Sequence, residues 1–231
     1  MENQSNVILE VKDLKKYFGK GDGTTKALDG INFTINRGDF ISIMGKSGSG
    51  KTTLLNILST IDIATHGDVL LNGSSIFKLK SSKKSQFRRD NLGFIFQDFK
   101  LIDNLTAFEN IALALIIQDR YKANEIEHLT NEIAKALEIS HILDKYPYQL
   151  SGGQKQRVSV ARAIVKKPTL IIADEPTGAL DSENSKRLME MFEKINKELK
   201  NTILIVTHDE YVASFSDRTL TLKDGIFEKV E

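Results

Sequence analysis

The chain contains no cysteine. That excludes a disulfide scaffold, thiolate metal sites and a cysteine nucleophile, and it agrees with a cytoplasmic home. Net charge is nearly absent as well, +1 from 32 basic and 31 acidic residues, so no global field draws the chain to nucleic acid or acidic lipid. The longest apolar run, Ile111 to Ile117, is seven residues, far short of the roughly 20 that cross a bilayer. The opening residues, Met1 to Asn6, are polar and lack the apolar stretch of a secretory signal. The expectation is a protein that cannot span a membrane alone. No repeat, low-complexity tract or linker marks a second independent domain.

What is present is an ordinary globular composition, 40% hydrophobic and 27% charged over 231 residues, enough for one core or a core with a smaller lobe. Short β-branched runs at Val7–Val11, Ile31–Ile35, Phe40–Met44, Asp68–Leu71, Gly93–Phe96, Thr169–Ala173, Thr202–Thr207 and Thr219–Leu222 predict strands. Several are apolar throughout and therefore buried on both faces. Helical period appears in Ile126, Leu129, Ile133 and Leu137, and again in Leu188, Phe192, Ile195 and Leu199. From about Asp98 to Lys167 the pattern is helical without a convincing strand. The strands before residue 40 read as antiparallel, because glycine-containing turns join them. These features predict an α/β core, residues 1–97 and 168–231, with an antiparallel β part and an inserted helical subdomain at about 98–167.

Gly45-Lys46-Ser47-Gly48-Ser49-Gly50-Lys51-Thr52 fits Gly-x4-Gly-Lys-Ser/Thr. The strand Phe40–Met44 ends at Gly45, and glycines let backbone N–H groups curl inward around an anion. A helix begins near Lys51 and runs through Thr52, Thr53 and Leu54, so its N-terminal dipole faces the same phosphates. Lys51 is placed to reach the β- and γ-phosphates, and the Thr52 hydroxyl to bind Mg²⁺.

Leu170-Ile171-Ile172-Ala173-Asp174-Glu175 delivers two adjacent carboxylates at the end of an apolar strand, where ligands sit in open α/β sheets. Asp174 suits Mg²⁺, and Glu175 can take a proton from an attacking water. Guanine readers carry Asn-Lys-x-Asp; the nearest stretch, Asn196-Lys197-Glu198-Leu199, lacks the aspartate, which favours adenine. A second helix start, Leu150-Ser151-Gly152-Gly153-Gln154, has the spacing of a capping box. Two glycines in a first helical turn cost roughly 1 kcal/mol each relative to alanine. A cap alone does not account for them, whereas close approach of a phosphate does. Two phosphate-receiving helix starts with one acid pair suggest that ATP sits between two copies of the chain, closed by a two-fold axis.

These residues resemble the ATP-binding-cassette ATPases over essentially the whole chain. Gly45–Thr52 is similar to the family's Walker A loop, Leu170–Asp174 to its Walker B strand and Leu150–Gln154 to its signature. The resemblance implies a P-loop nucleotide-binding fold hydrolysing ATP with Mg²⁺, and it carries roles residue by residue. Gln97, closing Gly93-Phe94-Ile95-Phe96-Gln97, corresponds to the loop glutamine that touches Mg²⁺. Asp181, in Ala179-Leu180-Asp181, lies in the D-loop, and His208 is the switch histidine at the γ-phosphate. Ser151, Gly152, Gly153 and Gln154 act in trans. Tyr17, with Phe18 as its rival, stacks on adenine. Arg88-Arg89, Gly93–Gln97, Asn104-Leu105-Thr106 with Glu109-Asn110, and Ala173–Ser182 resemble the branch that serves lipoprotein release, macrolide export, cell division and bacitracin-type peptide resistance. Ile41–Asp62, Lys145-Tyr146-Pro147 and Asp217–Gly225 lean toward bacitracin-type peptide resistance. Lys46 and Ala114 stand where that branch commonly has proline. The partners implied are a second copy of the chain and an integral membrane permease with a long external domain, at the cytoplasmic face of the membrane, with no nucleic acid. A cassette ATPase without a membrane partner is the alternative from a different class.

Lys78, Lys80, Lys83, Lys84, Arg88 and Arg89 crowd twelve residues, either as a solvated helix face or beside acidic headgroups. Asp98–Leu115 carries Phe99, Leu101, Leu105 and Phe108, which by resemblance form the groove for a permease helix, unless they simply pack the helical lobe.

Overall fold

A computed structural model describes residues 6–228. In chain order its elements are β1 (Val7–Phe18), β2 (Thr25–Asn36), β3 (Phe40–Met44), α1 (Lys51–Leu58), β4 (His66–Leu71), β5 (Ser74–Ser75), α2 (Ser81–Asn91) and β6 (Leu92–Phe96). There follow α3 (Ala107–Ile116), α4 (Ala123–Ala136), α5 (Gly152–Ile164), β7 (Leu170–Asp174), α6 (Ser182–Leu199), β8 (Ile203–Thr207), α7 (Glu210–Ala213), β9 (Arg218–Lys223) and β10 (Ile226–Phe227). They form two compact units, one made of the chain up to Arg88 and from Thr202 onward, the other of Arg89–Asn201.

The first unit holds an antiparallel sheet of order β2-β1-β4-β5. Its long hairpin β1–β2 turns through the glycine-rich segment Gly19–Gly23 and buries Leu9, Val11, Leu14, Leu28, Ile31 and Ile35. Both strands run well past the apolar runs that announce them, to Phe18 and back to Thr25. Register shifts at Val11/Leu14 and Lys16/Tyr17 break the alternation by which a strand is read from sequence. The same unit pairs β3 in parallel with both β8 and β9, and β10 folds back on β9. Phe40, Ile41, Ile43 and all of Ile203–Val206 are buried, as parallel strands covered on both faces require. Because β3 and β8 run parallel with Met44 opposite Thr207, Gly45 and His208 emerge side by side, and the Gly45 N–H donates to the Thr207 carbonyl at 3.3 Å.

In the second unit β6 and β7 are parallel, with Phe96 opposite Asp174. Gln97 and Glu175 therefore leave adjacent strand ends. The helix α5 packs on β6, α3 and α6 and buries Val158, Val160, Ala161, Ala163 and Ile164. Between β6 and β7 there is no strand among the described residues. On α4 the fully buried side chains are Thr130 and Ala134, while Ile126, Leu129 and Ile133 are half-buried. The small side chains make the closest approach and the large ones flank it. Leu188, Phe192 and Ile195 of α6 are buried, but Leu199 is 48% exposed, because the helix stops there at a left-handed Lys200.

Candidate nucleotide site

In the first unit the loop Gly45–Gly50 joins β3 to α1. Gly50, at φ 107°, is the residue before the helix and offers it no side-chain cap; no acidic residue sits in the first turn. The helix's leading N–H groups are thus left to an external acceptor. A Cβ at Gly50 would strike the Ala27 carbonyl, and one at Gly45 the Leu222 carbonyl. Lys51 is 8% exposed, and its ammonium donates to the carbonyls of Gly45 at 2.6 Å and Lys46 at 2.9 Å. Thr52 is exposed beside it and Thr53 half-buried. Ser47 is exposed, whereas Ser49 is buried with its hydroxyl unpaired. A cavity of about 540 Å³ opens over Gly45 to Ser49 and is bordered by His208, Glu210 and the β9–β10 hairpin.

Also in this unit, the Tyr17 hydroxyl donates to the Asp29 carboxylate, which accepts from Lys26 Nζ at 3.0 Å as well. These bonds hold the Asp29 carboxyl below its ordinary range and push the Tyr17 hydroxyl up. Phe18 is 46% exposed, with Lys16 Nζ 4.8 Å from its ring centre. Neither ring borders the cavity.

In the second unit, Asp174 ends β7 and Glu175 follows with φ 44°, a left-handed conformation uncommon outside glycine. The Gly178 N–H closes the turn on the Glu175 carbonyl at 3.1 Å. Gln156 Nε2 donates to the Pro176 carbonyl at 2.8 Å. The Gln97 side chain lies over Gly178, where a Cβ would come within 2.7 Å of Nε2. Asp181 caps α6, accepting from the Asn184 N–H and side-chain amide, both at 2.8 Å, which lowers its pKa.

Ser151 caps α5 through the expected box: its hydroxyl accepts from Gln154 N–H at 3.3 Å and the Gln154 side chain accepts from Ser151 N–H at 3.0 Å. The two glycines that follow differ. A Cβ at Gly153 would sit 2.7 Å from Asn184 Oδ1, a side-chain end that would have to shift. Gly152 has only Leu180, at 3.7 Å. A ligand approaching this helix start closely meets no obstruction at Gly152. Ser151, Gly153 and Gln154 border a cavity of about 250 Å³ together with His141, Arg157 and Arg187.

Among the residues of the second unit that fix these loops, sequence reasoning passed over Arg162 and met Asn110, Thr106 and Glu109 only as a block resembling one branch. Arg162 donates to the carbonyls of Phe99 at 2.9 Å and Lys100 at 2.5 Å. Buried Asn110 accepts from Ile102 N–H at 2.8 Å and donates to the carbonyls of Ile102, Leu105 and Thr106. Thr106 and Glu109 form a capping box at the start of α3, so the Asn104–Asn110 block has a local structural cause. Phe99, Leu101, Leu105 and Phe108 are half-buried and Ile102 is 40% exposed. Helix α2 buries none of its residues.

A glycine loop feeding an uncapped helix start, with an acid pair closing an apolar strand, defines a P-loop nucleoside triphosphatase. The family model for the ABC transporter matches residues 28–178, and the chain belongs to that family. It is 45% identical over 218 residues to the bacitracin export ATP-binding protein BceA of Halalkalibacterium halodurans, covering 94% of this chain and 86% of that protein. It is 39% identical over 230 residues to the lipoprotein-releasing system ATP-binding protein LolD of Shewanella frigidimarina, covering 100% and 96%. A solved dimeric structure of the ATP-binding cassette MJ0796 of Methanocaldococcus jannaschii, in a post-hydrolysis state bound to ADP and Pi, superposes with TM-score 0.85 at 40% identity, covering 97% of this chain and 98% of that one. The protein is an ABC transporter ATP-binding subunit: it binds ATP and hydrolyses it. No helix among the described residues is long and apolar enough to cross a membrane.

Proposed function

We propose that the chain powers a separate membrane permease with a long external domain, as a pair of copies at the cytoplasmic face, in antimicrobial-peptide resistance or export of the bacitracin or lantibiotic type. The observation that carries the reading is the phosphate loop, where a buried Lys51 ammonium is curled onto the loop's own carbonyls at an uncapped helix start. The Gly45–Thr52 backbone and Lys51 bind the β- and γ-phosphates and offset their developing charge. Glu175 takes the proton of the attacking water, and His208 contacts the γ-phosphate. Tyr17, its ring fixed through Asp29, stacks on adenine. Ser151, Gly152, Gly153 and Gln154 complete the partner copy's site, and Asp181 lies at that junction.

Among the described residues no group of three or more His, Cys, Asp or Glu is placed to cage a metal ion. Thr52, Gln97 and Asp174 instead offer hard oxygen donors of the kind that hold Mg²⁺ together with substrate phosphates. When bound, Mg²⁺ would supply charge neutralisation at the phosphates.

The similarity to BceA favours peptide antibiotics. The similarity to LolD, over the whole chain, keeps lipoprotein release as the second reading. Glu175→Gln tests both the chemistry and the partner. Turnover is expected to fall by about 10²–10⁴-fold with ATP binding kept. The tagged variant, purified from detergent-solubilised membranes with ATP, is expected to retain a stoichiometric permease. Undiminished turnover removes Glu175 from the chemistry, and a soluble partner or none overturns the proposed permease.

A further inference from the structure

Gln156 lies in α5 one helical turn beyond Gly152 and is fully buried. Its Nε2 donates to the carbonyl of Pro176, the residue after Glu175, at 2.8 Å. The amide orientation follows from chemistry, since the reverse would set Oε1 against another carbonyl oxygen. Oε1 itself is buried with no hydrogen-bond partner. A half-satisfied buried amide is an expensive way to fill space, because an apolar side chain of the same size would pack there without an orphaned oxygen. Packing therefore does not explain this glutamine. The carbonyl it holds belongs to a turn that needs holding: Glu175 sits at φ 44°, a strained conformation for a carboxylate residue that persists only when its surroundings fix it.

We propose that Gln156 is a positioning residue that ties the ligand-receiving start of α5 to the turn carrying Glu175. This rests on the roles proposed above for Ser151–Gly153 and Glu175. A phosphate seated on the N-terminus of α5 acts on the helix as a rigid body, and Gln156 passes that constraint through one hydrogen bond to the peptide beside the base. Since the α5 start serves the partner copy's nucleotide and Glu175 serves its own, the bond links the two composite sites within one chain.

The test measures steady-state ATP hydrolysis, ATP affinity and thermal unfolding on the full chain, for the native protein, Gln156→Met, Gln156→Glu and Glu175→Gln. Gln156→Met keeps the volume and removes both the donor and the orphaned oxygen. It is expected to melt close to the native temperature, because losing the orphaned oxygen offsets the Pro176 carbonyl left without its donor, to keep native ATP affinity and KM, and to lose about 10²-fold in kcat. The carboxyl of Gln156→Glu donates to Pro176 only when protonated, so its kcat relative to the native protein at the same pH should rise as pH falls. Native kcat in Gln156→Met overturns the inference. So does a fall in kcat that merely parallels lost ATP affinity and a lower melting temperature. Glu175→Gln separates the premise from the inference. If it still turns over, the role of Glu175 fails and the inference with it; if it is silent while Gln156→Met is native, the inference alone fails.

Discussion

At the scale of single residues, a lysine outside the proposed nucleotide site carries a large perturbation. Lys166 is largely buried in the second unit, and burial pushes its ammonium down to about 8. Its Nζ donates to the Arg89 carbonyl at 2.8 Å, with Asp90 raising and Arg89 lowering its pKa. The ordinary value for the unfolded chain is 10.5. Above about pH 8 the unfolded state therefore binds more protons than the folded one, and the contribution of Lys166 to stability rises with pH until the unfolded lysine also titrates. Below that, both states are charged and the burial penalty is constant. Lys166→Met removes the penalty, and the Arg89 carbonyl still accepts from Gln118 Nε2 at 3.2 Å. In urea unfolding the variant should exceed the native chain most at about pH 7, and the gap should narrow by about pH 9.5. A gap independent of pH would show that the Lys166 charge is not desolvated in the folded chain.

At the scale of elements, the loop after Gln97 depends on side chains from elsewhere in the second unit. Phe99 and Lys100 both have positive φ, 58° and 49°, which costs about 1–2 kcal/mol for each non-glycine residue. The Arg162 guanidinium holds both carbonyls with burial lowering its pKa, while Asn110 holds the far end. Arg162→Met should let the loop relax. Hydrogen exchange of the amides at 98–106 is expected to speed up by at least about tenfold, with the Glu175 turn unchanged; equal protection in both proteins would deny the clamp. Arg162 was not legible beforehand, and Asn110 was legible only as part of a block resembling one branch, not as a loop clamp. Strand β3 (Phe40–Met44) and the start of α1 at Lys51 are read directly, because apolar runs and glycine punctuation are local signals. The two-residue strands β5 and β10 and the far halves of β1 and β2 are not, since register shifts and short pairing leave no periodicity. Gly45 could be named as a site residue from its motif and His208 through the family resemblance, but their adjacency comes from the parallel register of β3 and β8. Gln156 and Arg162 carry no such spacing signal, because their partners are backbone carbonyls that any residue could supply.

At the scale of the whole molecule, the trans arrangement proposed above rests on an asymmetry between the starts of α1 and α5. The start of α1 has no side-chain cap and adjoins Lys51. The start of α5 has its own cap in Ser151 and an unobstructed Gly152, but among the described residues only one strand ends directly on an acid pair, β7 with Asp174 and Glu175. A chain using both starts for its own nucleotide would need no second copy, whereas trans use makes Lys51 and Ser151 belong to different sites. Lys51→Ala and Ser151→Arg are each expected to be silent. In a mixed pair, one site inherits both defects and the other neither, because an intact Lys51 from one chain meets an intact Ser151 from the other. With random pairing, half the dimers are mixed and each has one good site, so turnover should recover to roughly a quarter of native if sites act independently. Losing the Ser151 cap costs about 1 kcal/mol, so melting curves must confirm that both variants fold before mixing. Recovery on mixing two folded, silent chains has no explanation if each chain completes its own site, and continued silence would remove the trans arrangement while leaving the phosphate loop and Glu175 in place.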